Sequence, residues 1–195
     1  MIDQNIIDKS TKTANQAIDC RCATVSPDIY TISNVFDSNL IVKLKKYLNQ
    51  NQLVWQGELH KRQIITWDTD SVIEEIHEVC NNLTEKITQQ FFNTHLNFLG
   101  IQIWKDQHPY YLDWHCDNPI INVALQVYMF DAPENCGTLF DINNDELLIP
   151  YVHNTGYIVV TKSSSGLRHK VNQITPVGVT RYSVYSIWST TEKRK

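Results

Sequence analysis

In the run Trp114-His115-Cys116-Asp117-Asn118, the imidazole of His115 and the carboxylate of Asp117 are separated by one position. In an extended segment, positions i and i+2 share a face, so both side chains can converge on one ion while Cys116 points away. The tripeptide alone is weak, because a strand-end ion pair leaves the same trace. A third donor, His169, stands 52 residues after Asp117 in the β-like run Leu167-Arg168-His169-Lys170-Val171. Two histidines and one carboxylate make a facial triad that leaves positions open on Fe(II), unlike the closed shell of structural zinc. Two open positions can take a 2-oxo acid group as a chelate, and a third can take dioxygen.

A 2-oxo acid such as 2-oxoglutarate carries a second, distal carboxylate, which in a buried pocket needs a cation with good hydrogen-bond geometry. Arg181 follows His169 by 12 residues in Thr180-Arg181-Tyr182-Ser183-Val184-Tyr185, where Arg181 and Ser183 share one strand face. Arginine suits this place because it binds carboxylates bidentately and stays charged when buried.

The elements that must position these groups follow in order along the chain. From Ser38, the residues Leu40, Ile41, Leu44, Tyr47 and Leu48 fall at helical spacing, with Asp37 or Ser38 available to cap. A longer helix is expected from Ser71, where Ser71 and Glu74 form a capping-box pattern ahead of Val72, Ile73, Ile76, Val79, Cys80, Leu83, Ile87 and Phe91. After Leu96, short runs rich in β-branched and aromatic residues alternate with turn formers such as Ala132-Pro133-Glu134-Asn135 and Asn143-Asn144-Asp145. Eight strands are expected, near 98–104, 112–117, 122–130, 137–142, 146–149, 156–161, 167–171 and 180–188. This order predicts an α+β, mainly β fold, a sandwich or barrel braced by the N-terminal helices on one face. Residues 1–28 are polar and without an apolar period, so they read as a flexible N-terminal extension, and 29–195 read as a single domain.

A chain of 195 residues can bury a real core, and 42% hydrophobic with 19% charged residues excludes disorder throughout. The net charge of -4 lacks the attraction that a broad nucleic-acid or anionic-membrane surface needs. No apolar stretch reaches signal-peptide or membrane-span length, so a cytoplasmic location is expected. Five irregularly spaced cysteines argue against a disulfide framework. The Cys20-x-Cys22 pair, with no second pair nearby, is more often incidental than a zinc site.

The order and spacing of His115-Cys116-Asp117-Asn118-Pro119, Gly137-Thr138-Leu139-Phe140, His169-Lys170-Val171 and Thr180-Arg181-Tyr182 leading to Trp188 resemble the 2-oxoglutarate and Fe(II)-dependent dioxygenases. The prolyl-4-hydroxylase-like branch is the most similar, over residues 100–190. The resemblance implies a double-stranded β-helix core (jelly-roll, cupin-like) with helices on one side. It implies Fe(II) on His115, Asp117 and His169, with 2-oxoglutarate and O2 as co-substrates and ascorbate as an accessory reductant. It also implies that Arg181, Ser183 and Tyr128 meet the distal carboxylate of 2-oxoglutarate. The implied reaction hydroxylates a C–H bond of a peptidyl or free amino-acid side chain and releases succinate and CO2. Two features depart from the pattern. The tyrosine usual ahead of the first metal histidine has no match among Trp104, Tyr110 and Tyr111, and Cys136-Gly137 stands where Gly-Gly is common. Ile187 replaces the second clamp arginine of nucleobase demethylases, which argues against nucleic acid as substrate.

Other readings stay open: a small-metabolite oxygenase, a non-catalytic metal- and ligand-binding cupin-like protein, or a zinc hydrolase. Tyr128, in an apolar run, serves equally well as core. Trp104, Trp114 and Trp188 read as packing residues, and His60, His77, His95, His108 and His153 as surface or loop residues. The basic cluster His60-Lys61-Arg62 could meet an anionic substrate but reads more readily as a solvated face, and Asn118-Pro119 reads as a turn near the pocket mouth.

Overall fold

The computed structural model describes residues 20–50, 56–59, 62–66, 70–89, 92, 96–161, 167–175 and 177–190. Two helices precede the strands expected to carry the site. In α1 (Ser38–Leu48) the buried residues Leu40, Leu44 and Tyr47 form one stripe, and the Asp37 side chain caps the first turn by accepting from the Leu40 N–H at 2.8 Å. In α2 (Ser71–Thr88) the stripe is Ile73, Ile76, Cys80, Thr84 and Ile87. Its cap is Asp70, which accepts from the Val72 N–H at 2.9 Å, so Ser71 is the first helical residue and not the cap. A carboxylate there also faces the positive end of the helix dipole.

All eight expected strands form: β5 (Asn97–Gln107), β6 (Leu112–His115), β7 (Val123–Met129), β8 (Thr138–Ile142), β9 (Asp145–Ile149), β10 (Thr155–Val160), β11 (His169–Val171) and β12 (Thr180–Ser189). Four more precede them: β1 (Arg21–Ser26), β2 (Ile29–Ser33), β3 (Gln56–Leu59) and β4 (Arg62–Thr66). They build two antiparallel sheets, a major one in the order β1-β2-β10-β7-β12-β5-β4-β3 and a minor one in the order β6-β11-β8-β9. Each sheet takes four of the eight expected strands, and β1–β4 widen the major sheet at both edges. This is the double-stranded β-helix.

Strand alternation sorts the core into two layers. Val123, Leu125 and Val127 of β7 with Val184 and Trp188 of β12 turn outward, packing with Ile73, Ile76 and Cys80 of α2. On the inward faces, Tyr128, Tyr157 and Val159 of the major sheet meet Phe140, Ile149 and Val171 of the minor sheet. The boundary expected at residue 28 moves, because Arg21–Ser26 pairs with β2 as the edge strand β1. Most of β1 is exposed, so backbone pairing rather than an apolar face holds it, and no apolar period marks it in the sequence. Residues 1–19 of the expected extension lie outside the described residues. Among the described residues, no helix is long and apolar enough to cross a membrane.

Candidate metal centre and its cavity

His115 ends β6, and His169 opens β11 directly opposite it in the antiparallel pairing. Between them the register shifts. Val171 pairs with Leu112, so β6 spends two residues, Asp113 and Trp114, against the single Lys170 of β11. This bulge lets Leu112 and His115, three positions apart, line the same cavity, which strict alternation forbids. The strand expected over 112–117 stops at His115, and Asp117 lies just beyond it. The chain leaving the bulge, rather than an i, i+2 strand face, therefore brings Asp117 to the histidines.

One ligand atom from each of His115, Asp117 and His169 lies within 4.8 Å of the others, the one such group of three among the described residues. Asp117 Oδ1 is 3.7 Å from His169 Nε2, and the two imidazole centroids are 4.2 Å apart. His115 Nδ1 donates to the Asp113 carbonyl and His169 Nδ1 to the Leu167 carbonyl, both at 2.9 Å. A carbonyl can only accept, so both rings carry the proton on Nδ1 and present the Nε2 lone pair, as a metal requires. Burial lowers the pKa of His169, with His115 adding to the effect against the pull of Asp117, and this favours the neutral, ligating form. Burial, together with the charge of the Asp117 carboxylate, raises the pKa of Tyr185 well above the phenol value. It therefore stays protonated.

The cavity beside the triad is lined by Arg62, Trp104, Gln126, Thr138, Tyr157, Arg181 and Tyr185, with Leu112, Val171 and the three metal candidates. Its far wall is a ladder of charges across three strands. Asp106 pairs in register with Arg62 on one side and Arg181 on the other. Arg62 Nε and Nη2 reach the two oxygens of Asp106 at 2.6 and 3.0 Å, and Arg181 Nε reaches Oδ2 at 3.1 Å. Arg181 is fully buried and its Nη1 donates to the Cys136 carbonyl at 2.7 Å. Its Nη2 has no hydrogen-bond partner among the described residues. One edge of the Arg181 guanidinium is thus held by a protein carboxylate, Asp106, and another nitrogen is left over. Burial works against the charge on Arg181, but Asp106 and the surrounding tyrosines raise its pKa and keep it a cation.

Ser183 and Tyr128, expected beside Arg181, are both fully buried and already engaged. Gln126 Nε2 donates to Ser183 Oγ at 2.9 Å, the Tyr157 hydroxyl donates to Gln126 Oε1, and the Tyr128 hydroxyl donates to Thr138 Oγ1 at 2.9 Å. Gln126, Thr138 and Tyr157 face the cavity, while Ser183 and Tyr128 do not line it. Gly137 keeps this wall in place, because a Cβ there would lie 2.0 Å from the Ile149 carbonyl oxygen.

Arg62 and Trp104 also differ from their sequence readings. Arg62, read as part of a solvated basic face, is buried, with its Cζ 3.8 Å from the Trp104 ring centroid and 4.4 Å from that of Tyr110. His60 and Lys61 of the same cluster, and His95, lie outside the described residues. Trp104, read as packing, lines the cavity and stacks on Tyr185 at 4.2 Å. Trp188 is core, donating to Asn81, and Trp114 lies under Lys170 at 4.4 Å. His108 donates to the Ile174 carbonyl and His153 accepts from the Phe130 N–H, both away from the triad. Asp106 offered no sequence signal beyond being an acidic residue in a β-rich segment.

No family model and no curated protein matches the chain. Solved structures do. The fold is that of the 2-oxoglutarate and Fe(II) oxygenases. An oxidoreductase of the 2OG-Fe(II) oxygenase family from Burkholderia pseudomallei is 13% identical, with a TM-score of 0.63 over 83% of this chain and 84% of its own. A prolyl hydroxylase from Trichoplax adhaerens, in complex with a peptide of the hypoxia inducible factor oxygen degradation domain, is 15% identical with a TM-score of 0.66 over 83% of each chain. HygX from Streptomyces hygroscopicus, with nickel, 2-oxoglutarate and hygromycin B bound, is 12% identical with a TM-score of 0.64 over 85% of this chain and 84% of its own. The double-stranded β-helix implied by the motif resemblance is therefore the fold of this protein.

Proposed function

We propose that this protein is an Fe(II)- and 2-oxoglutarate-dependent oxygenase that hydroxylates a C–H bond of a peptidyl or free amino-acid side chain. The observation that carries the reading is the convergence of His115, Asp117 and His169 at one end of a cavity whose other wall presents a buried arginine with an unengaged nitrogen. The donor set fits the metal, being two imidazoles and one carboxylate that all line the cavity. The charges fit the co-substrate. Fe(II) with Asp117 carries one net positive charge, and Arg62, Asp106 and Arg181 together carry another. A dicarboxylate 2-oxo acid brings one negative charge to each end.

Bound there, iron and 2-oxoglutarate supply the oxidising chemistry with O2, the co-substrate leaving as succinate and CO2 and one oxygen atom entering the substrate. The chain's own residues do the rest. The Asp113 and Leu167 carbonyls aim the two histidines. Arg181 holds the distal carboxylate, and Trp104 and Tyr185 close a wall that excludes water. Ser183 and Tyr128 brace that wall through Gln126 and Thr138. Support for a peptide or amino-acid substrate comes from the prolyl hydroxylase structure with its peptide, and from exposed Tyr111 and Ile120 flanking the metal candidates in sequence. The hygromycin B complex of HygX keeps a small-metabolite substrate as the second reading.

The test incubates the anaerobically iron-loaded protein with a panel of peptides, amino acids and metabolites and seeks a gain of one oxygen atom by mass spectrometry. A gain that needs iron, O2 and 2-oxoglutarate supports the reading. Absence of 2-oxoglutarate binding to the metal-loaded protein overturns it.

A further inference from the structure

The basic cluster of the sequence contributes one residue to the cavity, and that residue has the surroundings of a recognition group. Arg62 is 9% exposed and lines the cavity. Its Cζ lies 3.8 Å from the Trp104 ring centroid and 4.4 Å from that of Tyr110, and Trp104 is stacked in turn on Tyr185. Asp106 takes Nε and Nη2 at 2.6 and 3.0 Å, which fixes the plane of the guanidinium and leaves Nη1 outside the fork. A guanidinium held in this way has lost its rotamer freedom before a ligand arrives, so a hydrogen bond from Nη1 costs little further ordering.

Exposure decides which ligand reaches it. On one side of the cavity Gln126, Thr138, Tyr157 and Arg181 are at most 3% exposed, whereas Trp104 on β5 and Leu112 and His115 on β6 are partly exposed. The cavity is therefore closed around Arg181 and open along β5 and β6. A dicarboxylate that reaches from the triad to Arg181 takes the closed end, and a second molecule enters on the side of Trp104, against which Arg62 lies.

We propose that Arg62 Nη1 is the donor that seats the prime substrate, and that its acceptor is a neutral amide carbonyl, which makes the substrate a peptide rather than a free amino acid. The proposal rests on the oxygenase reading above and narrows its substrate class. Charge separates the two. Fe(II) with Asp117, and Arg62 with Asp106 and Arg181, leave two positive charges, which the two negative charges of 2-oxoglutarate cancel. A free amino acid brings a carboxylate and an ammonium into this neutral site. The carboxylate can pair with Arg62, but among the described lining residues the only carboxylate is Asp117, which the metal takes. The ammonium is then left unpaired near two arginines, and an uncompensated charge out of water is costly. An amide carbonyl accepts from Nη1 and adds no charge.

The test is calorimetric titration of anaerobic protein loaded with Mn(II) and 2-oxoglutarate, without turnover. The probes are acetylated, amidated Gly-Gly-X-Gly-Gly peptides, with X each of the standard residues, and the corresponding free amino acids. At least one peptide should bind wild type, and no free amino acid should bind as tightly. Arg62→Lys keeps the charge but not the fork, so it should weaken that peptide by about 10- to 100-fold, the loss of a hydrogen bond from a charged group. Its affinity for 2-oxoglutarate, titrated into the Mn(II)-loaded protein, should change far less. Circular dichroism checks that the variant folds, and the wild-type comparison stands without it. A free amino acid that binds as tightly as the best peptide overturns the proposal, as does wild type that binds neither class. An Arg62→Lys variant that binds the peptide like wild type, or loses 2-oxoglutarate as much as peptide, also overturns it. Wild type that binds no 2-oxoglutarate fails the oxygenase reading itself, and the proposal falls with it.

Discussion

Arg181 on β12 and Asp106 on β5 face each other across adjacent antiparallel strands, both fully buried, with Nε and Oδ2 3.1 Å apart. Asp106 also takes both Nε and Nη2 of Arg62, so a single carboxylate organises two arginines. The cluster keeps one uncompensated positive charge against the cavity. A protein whose inner face needed only stability would gain more from apolar packing at these positions.

Removing Asp106 should therefore be costly. Asp106→Ala leaves two buried guanidinium groups without their counter-charge, and about 3–5 kcal/mol of folding stability should be lost. Chemical denaturation of the ligand-free protein measures this. A loss below about 1 kcal/mol would show that water or rearrangement neutralises the site.

Arg181→Ala should behave differently, because Asp106 and Arg62 remain as a neutral pair. Its folding cost should be smaller than that of Asp106→Ala, while 2-oxoglutarate binding to the Mn(II)-loaded protein weakens by about 100- to 1000-fold. Arg181→Lys should recover only part of this, since an ammonium cannot donate to Asp106, Cys136 and a ligand in one plane. Calorimetric titration with circular dichroism decides it, and an Arg181→Ala variant that binds like wild type removes the clamp.

His169→Ala should lower iron affinity by more than about 100-fold, beyond the usual effect of losing an outer partner of a metal ligand. The wall around Arg181 stays intact, so the variant should fold. Metal analysis after anaerobic reconstitution reads the result, and full iron content would reject the triad.

His77 packs against the Phe98 ring with centroids 4.1 Å apart, and burial holds its pKa below the ordinary 6.5, against an opposing pull from Glu78. The unfolded chain thus binds this proton more readily, and stability rises with pH across the window. The contribution of His77 is complete above pH 6.5 and is lost as the pH falls through the folded value. Denaturation series between about pH 7.5 and 5 should show a steeper acid loss in wild type than in His77→Gln. Equal slopes would show that His77 titrates alike in both states.

The sequence by itself determined whatever local period or spacing encodes. The stripes of α1 and α2, all eight strands of the double-stranded β-helix, and the order of His115, Asp117, His169 and Arg181 were legible there, because apolar repeats and motif spacings are properties of contiguous residues. Only the tertiary structure decided what those strands bring together. Asp106 gained its meaning by lying between residues 62 and 181, far apart in sequence and adjacent in the sheet. Arg62 and Trp104 joined the cavity wall, and Ser183 and Tyr128 were turned to Gln126 and Thr138, through cross-strand register that no local pattern records. The β6 bulge that aims His115 into the cavity is likewise an offset between paired strands, and it exists only once β11 lies beside β6.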